Sequence, residues 1–244
     1  MSGFLELKNV TFITQNQEII RDFSYTFEEG KTTALVGPSG SGKSTVLKLC
    51  AGILVPVTGE VIFRGRSIVS MNRQENLAFR REAAMVFQDS ALWANQTLLQ
   101  CLELPLRIHF PKMNAREREN RIQSVLKDVG YKRDLSIRPS QLSMGEQKLI
   151  GFARASVCWP TLLFLDEWIE SLDETAAQRL NALVRRHQSE KHTVICISHD
   201  FRVVRSMADY IVMILGGKFF LRFTRQQIEE DEDLAQYVEN GIAS

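Results

Sequence analysis

No apolar stretch in this 244-residue sequence is long enough to cross a membrane. The longest runs, such as Leu162-Leu163-Phe164-Leu165, fall far short of the roughly 20 residues a helical span needs. Charge of one sign is also missing. Thirty Lys and Arg stand against 29 Asp and Glu, a net of +1, so the overall electrostatics favour no nucleic-acid partner and none is expected. Met1-Ser2-Gly3-Phe4-Leu5-Glu6 carries neither a basic region nor a long apolar one, and no secretory signal is expected from it. Cys50, Cys101, Cys158 and Cys196 lie far apart without metal-type spacing, which suits small buried hydrophobes in a reducing, cytosolic compartment. There is no internal repeat and no low-complexity segment. What is present is ordinary for a globular protein: 44% apolar residues, enough for a core, and 24% charged.

One stretch stands out from that background. Gly37-Pro38-Ser39-Gly40-Ser41-Gly42-Lys43-Ser44-Thr45 matches the phosphate-binding loop G-x-x-x-x-G-K-[ST]. Its surroundings match too. Thr32 to Val36 is a β-branched and apolar run that reads as a buried strand, and Val46, Leu47, Leu49 and Cys50 recur at helical spacing. Glycines let a backbone wrap a phosphate so that successive N–H groups and a helix N-terminus face the negative charge. Lys43 would reach the β- and γ-phosphates, and the Ser44 hydroxyl would ligate Mg²⁺. The expected ligand is a nucleoside triphosphate.

Residues 4–29 read as strands, with Phe23, Tyr25 and Phe27 alternating against Ser24, Thr26 and Glu28 as in a half-buried antiparallel strand. Glu60 to Gly65 reads as another strand, residues 66–88 as polar and mixed, and Ala84 to Phe87 as a short strand ending at Gln88. Residues 89–140 turn helical. The apolar cluster at 98–106 is read as interrupted by Pro105 and Pro111. A marked helix follows, with Asn114 and Glu117 at capping-box spacing, a stripe at Ile122, Val125, Leu126 and Val129, and Gly130 as its stop. Thr161 to Leu165 leads into Asp166-Glu167, and Thr193 to Ile197 into Ser198-His199-Asp200, with an amphipathic helix between them from Ala176 to Gln188. Chemistry-bearing residues at the C-terminal ends of such strands are a doubly wound α/β pattern. A strand from Tyr210 to Leu215 and a short helix from Leu234 to Val238 complete the reading.

The candidate site follows from that order. Asp166 can hold Mg²⁺ directly or through water, and Glu167 can act as general base toward the attacking water. His199 can hydrogen-bond the γ-phosphate and Glu167. The Gln88 amide can sense both Mg²⁺ and water. With Leu142-Ser143-Met144-Gly145-Glu146-Gln147 and Ser171-Leu172-Asp173, these motifs resemble those of the ATP-binding cassette (ABC) ATPases over nearly the whole chain.

The resemblance implies one ABC ATPase domain over 1–244: a P-loop NTPase (RecA-like) core at 1–88 and 157–244 with an antiparallel β-subdomain, and an inserted α-helical subdomain at about 89–156. It also implies a head-to-tail pair of identical cassettes, in which Ser143 and Gly145 of one subunit close over the ATP of the other. ATP and Mg²⁺ are the implied cofactors, and an integral membrane permease is the implied partner, with the cassette peripheral on the cytoplasmic face of the inner membrane. The permease's coupling helix would dock near Leu92, Trp93, Leu98, Leu99, Leu102 and Leu104. Several short stretches, among them Ile68 to Arg73, Val86 to Leu92, Glu103 to Arg107 and Gln236 to Gly241, look most like the Mla/Mce phospholipid-transport ATPases. That likeness would add an Mce-type lipid-binding protein and a small regulatory subunit. Other readings are an importer of polar solutes or amino acids, a lipoprotein-releasing pump, a soluble ABC ATPase of translation or DNA repair, and a non-hydrolysing regulatory subunit.

Four positions depart from the family pattern. Met144 replaces a glycine and Glu146 a glutamine in the signature, and Glu146 is expected to weaken closure by placing negative charge near a triphosphate. Trp168 stands where proline follows the catalytic Glu. Thr14 takes the place of the adenine-stacking aromatic, with Phe12 as substitute.

Overall fold

The computed structural model describes residues 3–243. In chain order, β1 (Leu5–Thr14) and β2 (Gln17–Phe27) lead to β3 (Thr32–Val36), α1 (Lys43–Cys50), β4 (Thr58–Phe63), β5 (Arg66–Ser67), α2 (Arg73–Glu82) and β6 (Ala83–Val86). Helices α3 (Leu98–His109), α4 (Ala115–Val129) and α5 (Met144–Ser156) follow, then β7 (Leu162–Asp166), α6 (Glu174–Ser189) and β8 (Thr193–Ile197). The chain continues through α7 (Phe201–Met207), β9 (Tyr210–Leu215), β10 (Lys218–Thr224), α8 (Arg225–Glu230) and α9 (Glu232–Ala243). It divides into two compact units. One runs up to Asn76 and resumes at Glu190; the other is Leu77–Ser189.

The first unit has an antiparallel sheet in the order β2-β1-β4-β5, as the alternation in the sequence suggests. Phe23 and Phe27 are fully buried, while Ser24 and Thr26 face out. Beside it, β3 is buried over its whole length and pairs in parallel with both β8 and β9. Continuous apolar runs belong to strands covered on both faces. Strand β10 pairs antiparallel with β9, and its Phe219 ring stacks on Tyr25 at 5.6 Å and meets Phe23 edge-on at 6.5 Å. The sequence reading has no strand there.

In the second unit, β6 pairs in parallel with β7. Helix α4 has the expected ends: Asn114 and Glu117 form a reciprocal capping box, and Gly130 takes the left-handed conformation at φ 79°. Its stripe is buried. Helix α3 corrects the reading of Pro105. The proline lies inside a continuous helix, and only Pro111 falls beyond its end. Burial of Leu98, Cys101, Leu102 and Leu106 offsets the one backbone hydrogen bond a proline forfeits.

Three further boundaries differ. Residues 73–82, read only as part of a polar and mixed stretch, form α2, led by Asn72: its side chain accepts from the N–H groups of Gln74 and Glu75, and Glu75 accepts from Asn72 N–H. Helix α5 begins at Met144 with Ser143 as its cap, ahead of the helix from Gln147 to Ala155 that the sequence suggests. The terminal helix runs from Glu232 to Ala243, longer than the expected Leu234 to Val238. All four cysteines are free and buried, as expected.

Candidate functional site

Parallel pairing sets where the loops go. Strands β3 and β8 run side by side in the same direction, so the loop after β3 and the His199 segment after β8 leave from one sheet end. That is where doubly wound sheets bind ligands. The loop Gly37–Thr45 is shaped for close backbone approach. Gly37 has φ 142°, and a Cβ there would come within 2.2 Å of the Ile214 carbonyl oxygen. Gly42, at φ 99°, precedes α1 without any side-chain cap on that helix. Lys43 Nζ donates to the carbonyl oxygens of Gly37 and Pro38 at 2.6 and 2.9 Å, holding the loop in a ring. Ser41 Oγ is buried and has no hydrogen-bond partner. An uncapped helix N-terminus, a lysine and an orphaned hydroxyl around one loop fit an incoming phosphate, which accepts from all three. Ser39 and Gly40 lie at its exposed rim with Pro38 half-buried beside them, and Ser44 and Thr45 occupy the first turn of α1, also half-buried. His199 is exposed, next to Asp200, whose carboxylate caps α7 and pairs with Arg202.

In the second unit, β6 and β7 are likewise parallel, so Gln88 and the Asp166-Glu167 pair leave from one sheet end. Asp166 is buried as the last residue of β7. Glu167 follows in the left-handed conformation at φ 48° and is also buried. Exposed Gln88 donates its amide to Glu170 at 3.2 Å.

Helix α5 ties these parts together. At its start, Ser143 and Glu146 form a capping box. Gly145 lies close to the chain after β7; a Cβ there would sit 3.3 Å from the Ser171 carbonyl oxygen. One turn on, buried Lys148 donates to the Glu167 carbonyl oxygen at 2.7 Å. Burial draws the Lys148 pKa down, against the attraction of Glu170, Glu167, Asp166 and Asp89. Further along, Gly151 admits Ser90, and Arg154 donates to the carbonyl oxygens of Ala91 and Ser90, fixing the segment just beyond Gln88. Sequence reading missed Lys148, Arg154 and Glu170 because no motif contains them, although Arg154 lies about three helical turns from Ser143.

The departures now have physical surroundings. Trp168 is 1% exposed, and its indole N–H donates to Asn181 of α6 at 3.2 Å, so it acts as packing. Met144 is 70% exposed. Glu146 is not an isolated charge, because Arg133 donates to both of its oxygens at 2.8 and 3.0 Å. Arg133 and the Ser143 contacts hold the Glu146 carboxyl below its usual pKa. Thr14 is exposed on β1, and Phe12 is half-buried opposite Ile20.

A glycine-rich loop between a buried parallel strand and a helix, with strand-end carboxylates on a second parallel pair, defines a P-loop nucleoside triphosphatase of α/β fold. The model of the ABC transporter family matches residues 20–170. The chain belongs to that family, and it is an ATP-binding ATPase subunit. It is similar to the intermembrane phospholipid transport system ATP-binding protein MlaF of Haemophilus influenzae, at 32% identity over 95% of this chain and 88% of that one. It is 35% identical to the uncharacterized ABC transporter ATP-binding protein YejF of Escherichia coli over 84% of this chain, and spans only 40% of that protein's length. Nickel and oligopeptide transport subunits match at 35% and 34%. Among solved structures, a dimeric ATP-binding cassette in a post-hydrolysis state with ADP and Pi superposes with a TM-score of 0.83 at 27% identity, covering 91% of this chain and 98% of that one.

Proposed function

We propose that this cassette hydrolyses ATP as a head-to-tail pair of identical subunits to drive a membrane permease, and that its cargo is phospholipid. The observation that carries the hydrolytic reading is α5, which joins the signature cap at Ser143 to Glu167 through Lys148 and to the Gln88 segment through Arg154. In this reading Gly37, Pro38, Ser39, Gly40, Ser41, Gly42 and Thr45 supply the phosphate cradle, and Lys43 meets the β- and γ-phosphates. Glu167 takes the proton of the attacking water, and His199 donates to the γ-phosphate. Ser143 and Gly145 serve the ATP of the opposite subunit.

Ser44 and Asp166, with Gln88, would hold Mg²⁺, which would neutralise charge on the phosphates. Among the described residues there is no group of three or more His, Cys, Asp or Glu able to hold a metal. The hydroxyl, carboxylate and amide oxygens of Ser44, Asp166 and Gln88 are hard donors of the kind Mg²⁺ accepts beside phosphate and water.

Support for the permease is a mixed groove, with two exposed apolar side chains among polar and charged ones. The sequence cluster separates in three dimensions: Leu98 and Leu102 are fully buried, whereas Trp93, Leu99 and Leu104 stay exposed. Trp93 and Leu104 line a cavity of about 490 Å³ whose other walls are polar or charged, Asn95, Gln96, Gln100, Glu103 and Arg107, a fit for a helix that presents both apolar and polar side chains. Among the described residues no helix is long and apolar enough to cross a membrane; we place the cassette at the cytoplasmic face of the inner membrane because the partner proposed for it is a permease. Phospholipid is favoured by the near full-length match to MlaF. An Mce-type lipid-binding protein and a small regulatory subunit belong to that reading, and nucleic acid does not. The alternative cargo is a small solute, as in the names of the nickel and oligopeptide relatives.

Two experiments test this. Glu167→Gln should abolish phosphate release, by about 100-fold or more for loss of a general base, while ATP binding is kept; release at the wild-type rate would refute the assignment. Purification of a tagged chain from native membranes should bring down a permease with bound phospholipid. A permease with a solute-binding protein would move the cargo to a small solute, and no membrane partner would remove the transport reading.

A further inference from the structure

The Glu146 carboxylate makes contact with the very group the signature is meant to present. Its Oε2 accepts the Ser143 N–H at 2.9 Å and the Ser143 O–H at 3.0 Å, while Glu146 N–H donates back to Ser143 Oγ at 3.2 Å. The hydroxyl hydrogen is thereby committed to an anion. For Ser143 to donate to a phosphate oxygen, the hydroxyl must turn away from Glu146, and a bare carboxylate 3.0 Å from it would also repel the incoming triphosphate. The carboxyl is held below its ordinary pKa, so protonation at neutral pH does not remove the charge. A cation has to.

Arg133, in the segment between α4 and α5, is that cation. Its Nη1 reaches both carboxylate oxygens, at 2.8 and 3.0 Å, and so shares Oε2 with the Ser143 hydroxyl. The neighbouring signature residue, Met144, is exposed and uncharged. We propose that Arg133 is the positioning residue that makes a signature containing Glu146 usable: it cancels the carboxylate's charge, competes for Oε2, and leaves the Ser143 hydroxyl able to turn to the triphosphate bound by the partner subunit. This rests on the proposed head-to-tail pair. In this proposal Arg133 acts through Glu146 and Ser143 and not on the nucleotide itself.

The test is a double-mutant cycle on the full chain. ATP is titrated against dimer formation by sedimentation in a Glu167→Gln background, which stops turnover. Arg133→Ala should raise the ATP concentration needed by about tenfold, the scale of one uncancelled charge near a phosphate at intermediate dielectric. Higher salt should shrink the defect, and Arg133→Lys should restore part of the loss. Glu146→Gln should erase the effect, so that Arg133→Ala costs nothing further in that background. The Arg133 side chain is 52% exposed, and the capping box survives its removal, so the variant should fold. An unchanged ATP requirement in Arg133→Ala, or an equal loss with Glu146→Gln present, would overturn the proposal. A Glu167→Gln chain that never dimerises with ATP would instead defeat the proposed function, and this inference with it.

Discussion

Lys148 is a cation held where cations are costly. Only 3% of it is exposed, and its ammonium donates to the main-chain carbonyl of Glu167. The acids around it, Glu170, Glu167, Asp166 and Asp89, are its compensation. Removing one side of such an arrangement leaves buried charge unmatched, which typically costs about 3–5 kcal/mol. Lys148→Met, which keeps volume and discards charge, should therefore lower stability by about that much and reduce kcat more than it changes the KM for ATP. Lys148→Arg should restore part of the kcat. Denaturant titration and steady-state phosphate release check this. Full turnover in Lys148→Met would mean that the Glu167 backbone is positioned without it. Burial also pushes the thiols of Cys158 and Cys196 up to about 11 and about 12, which makes them inert, small core residues.

At the scale of elements, α5 organises its unit, and Gly151 tests that. A Cβ at this position would stand 3.2 Å from the Ser90 Cβ. Gly151→Val should displace the segment after Gln88, lowering ATP turnover and costing about 1–3 kcal/mol as overpacking does; a thermal melt together with a phosphate-release assay measures both. Elements differ in how much of them is visible in sequence. The P-loop, the buried runs of β3, β7 and β8, and the Asn114, Glu117 and Gly130 ends of α4 are local patterns, and local patterns survive without a structure. Strand β10 has no alternation to read: Phe219, Phe220 and Leu221 are consecutive and all partly exposed. Helix α2 buries only Phe79, so it has no stripe, though its Asn72 and Glu75 carried a readable cap. The pairings of Arg133 with Glu146 and of Lys148 with Glu167 span 13 and 19 residues and depend on where helices are placed. No spacing rule contains them. Glu146 accordingly read as an unmatched charge, and Pro105 as a break, because one-dimensional reading sees the cost of a residue without its compensation.

For the whole molecule, ionisation sets an acid limit. Arg133 lowers the pKa of Glu146, Ser136 that of Asp134 and Arg202 that of Asp200. Burial, then Arg81 and Arg80, lowers that of His109. In every case the unfolded chain binds more protons in the window between the two values, so stability rises with pH across it. The carboxylates' contribution is complete above their unfolded values near 4 and lost as pH falls through the lower folded ones; the His109 penalty begins below about 6.5. The Tm should hold level near pH 7, decline gently below about 6.5 and fall steeply below about 4, and it should decline again above about 8.5, where the unfolded chain releases thiol protons that the buried Cys158 and Cys196 keep, as scanning fluorimetry would record. A Tm that rises between pH 7 and 5 would contradict those shifts.

A head-to-tail pair makes each site from two chains, and this can be measured by mixing. Lys43→Ala removes a residue the site needs from its own chain, and Ser143→Ala removes one it needs from the partner. Each variant alone should have little activity. In an equimolar mixture half of the pairs are mixed, and each mixed pair holds one site with both defects and one with none. Phosphate release should therefore recover to about a quarter of the wild-type rate, by the reciprocity of a two-fold pair with independent sites. Recovery at that level would establish that Ser143 serves the ATP of the opposite subunit. No recovery, or full activity of Ser143→Ala alone, would contradict the account.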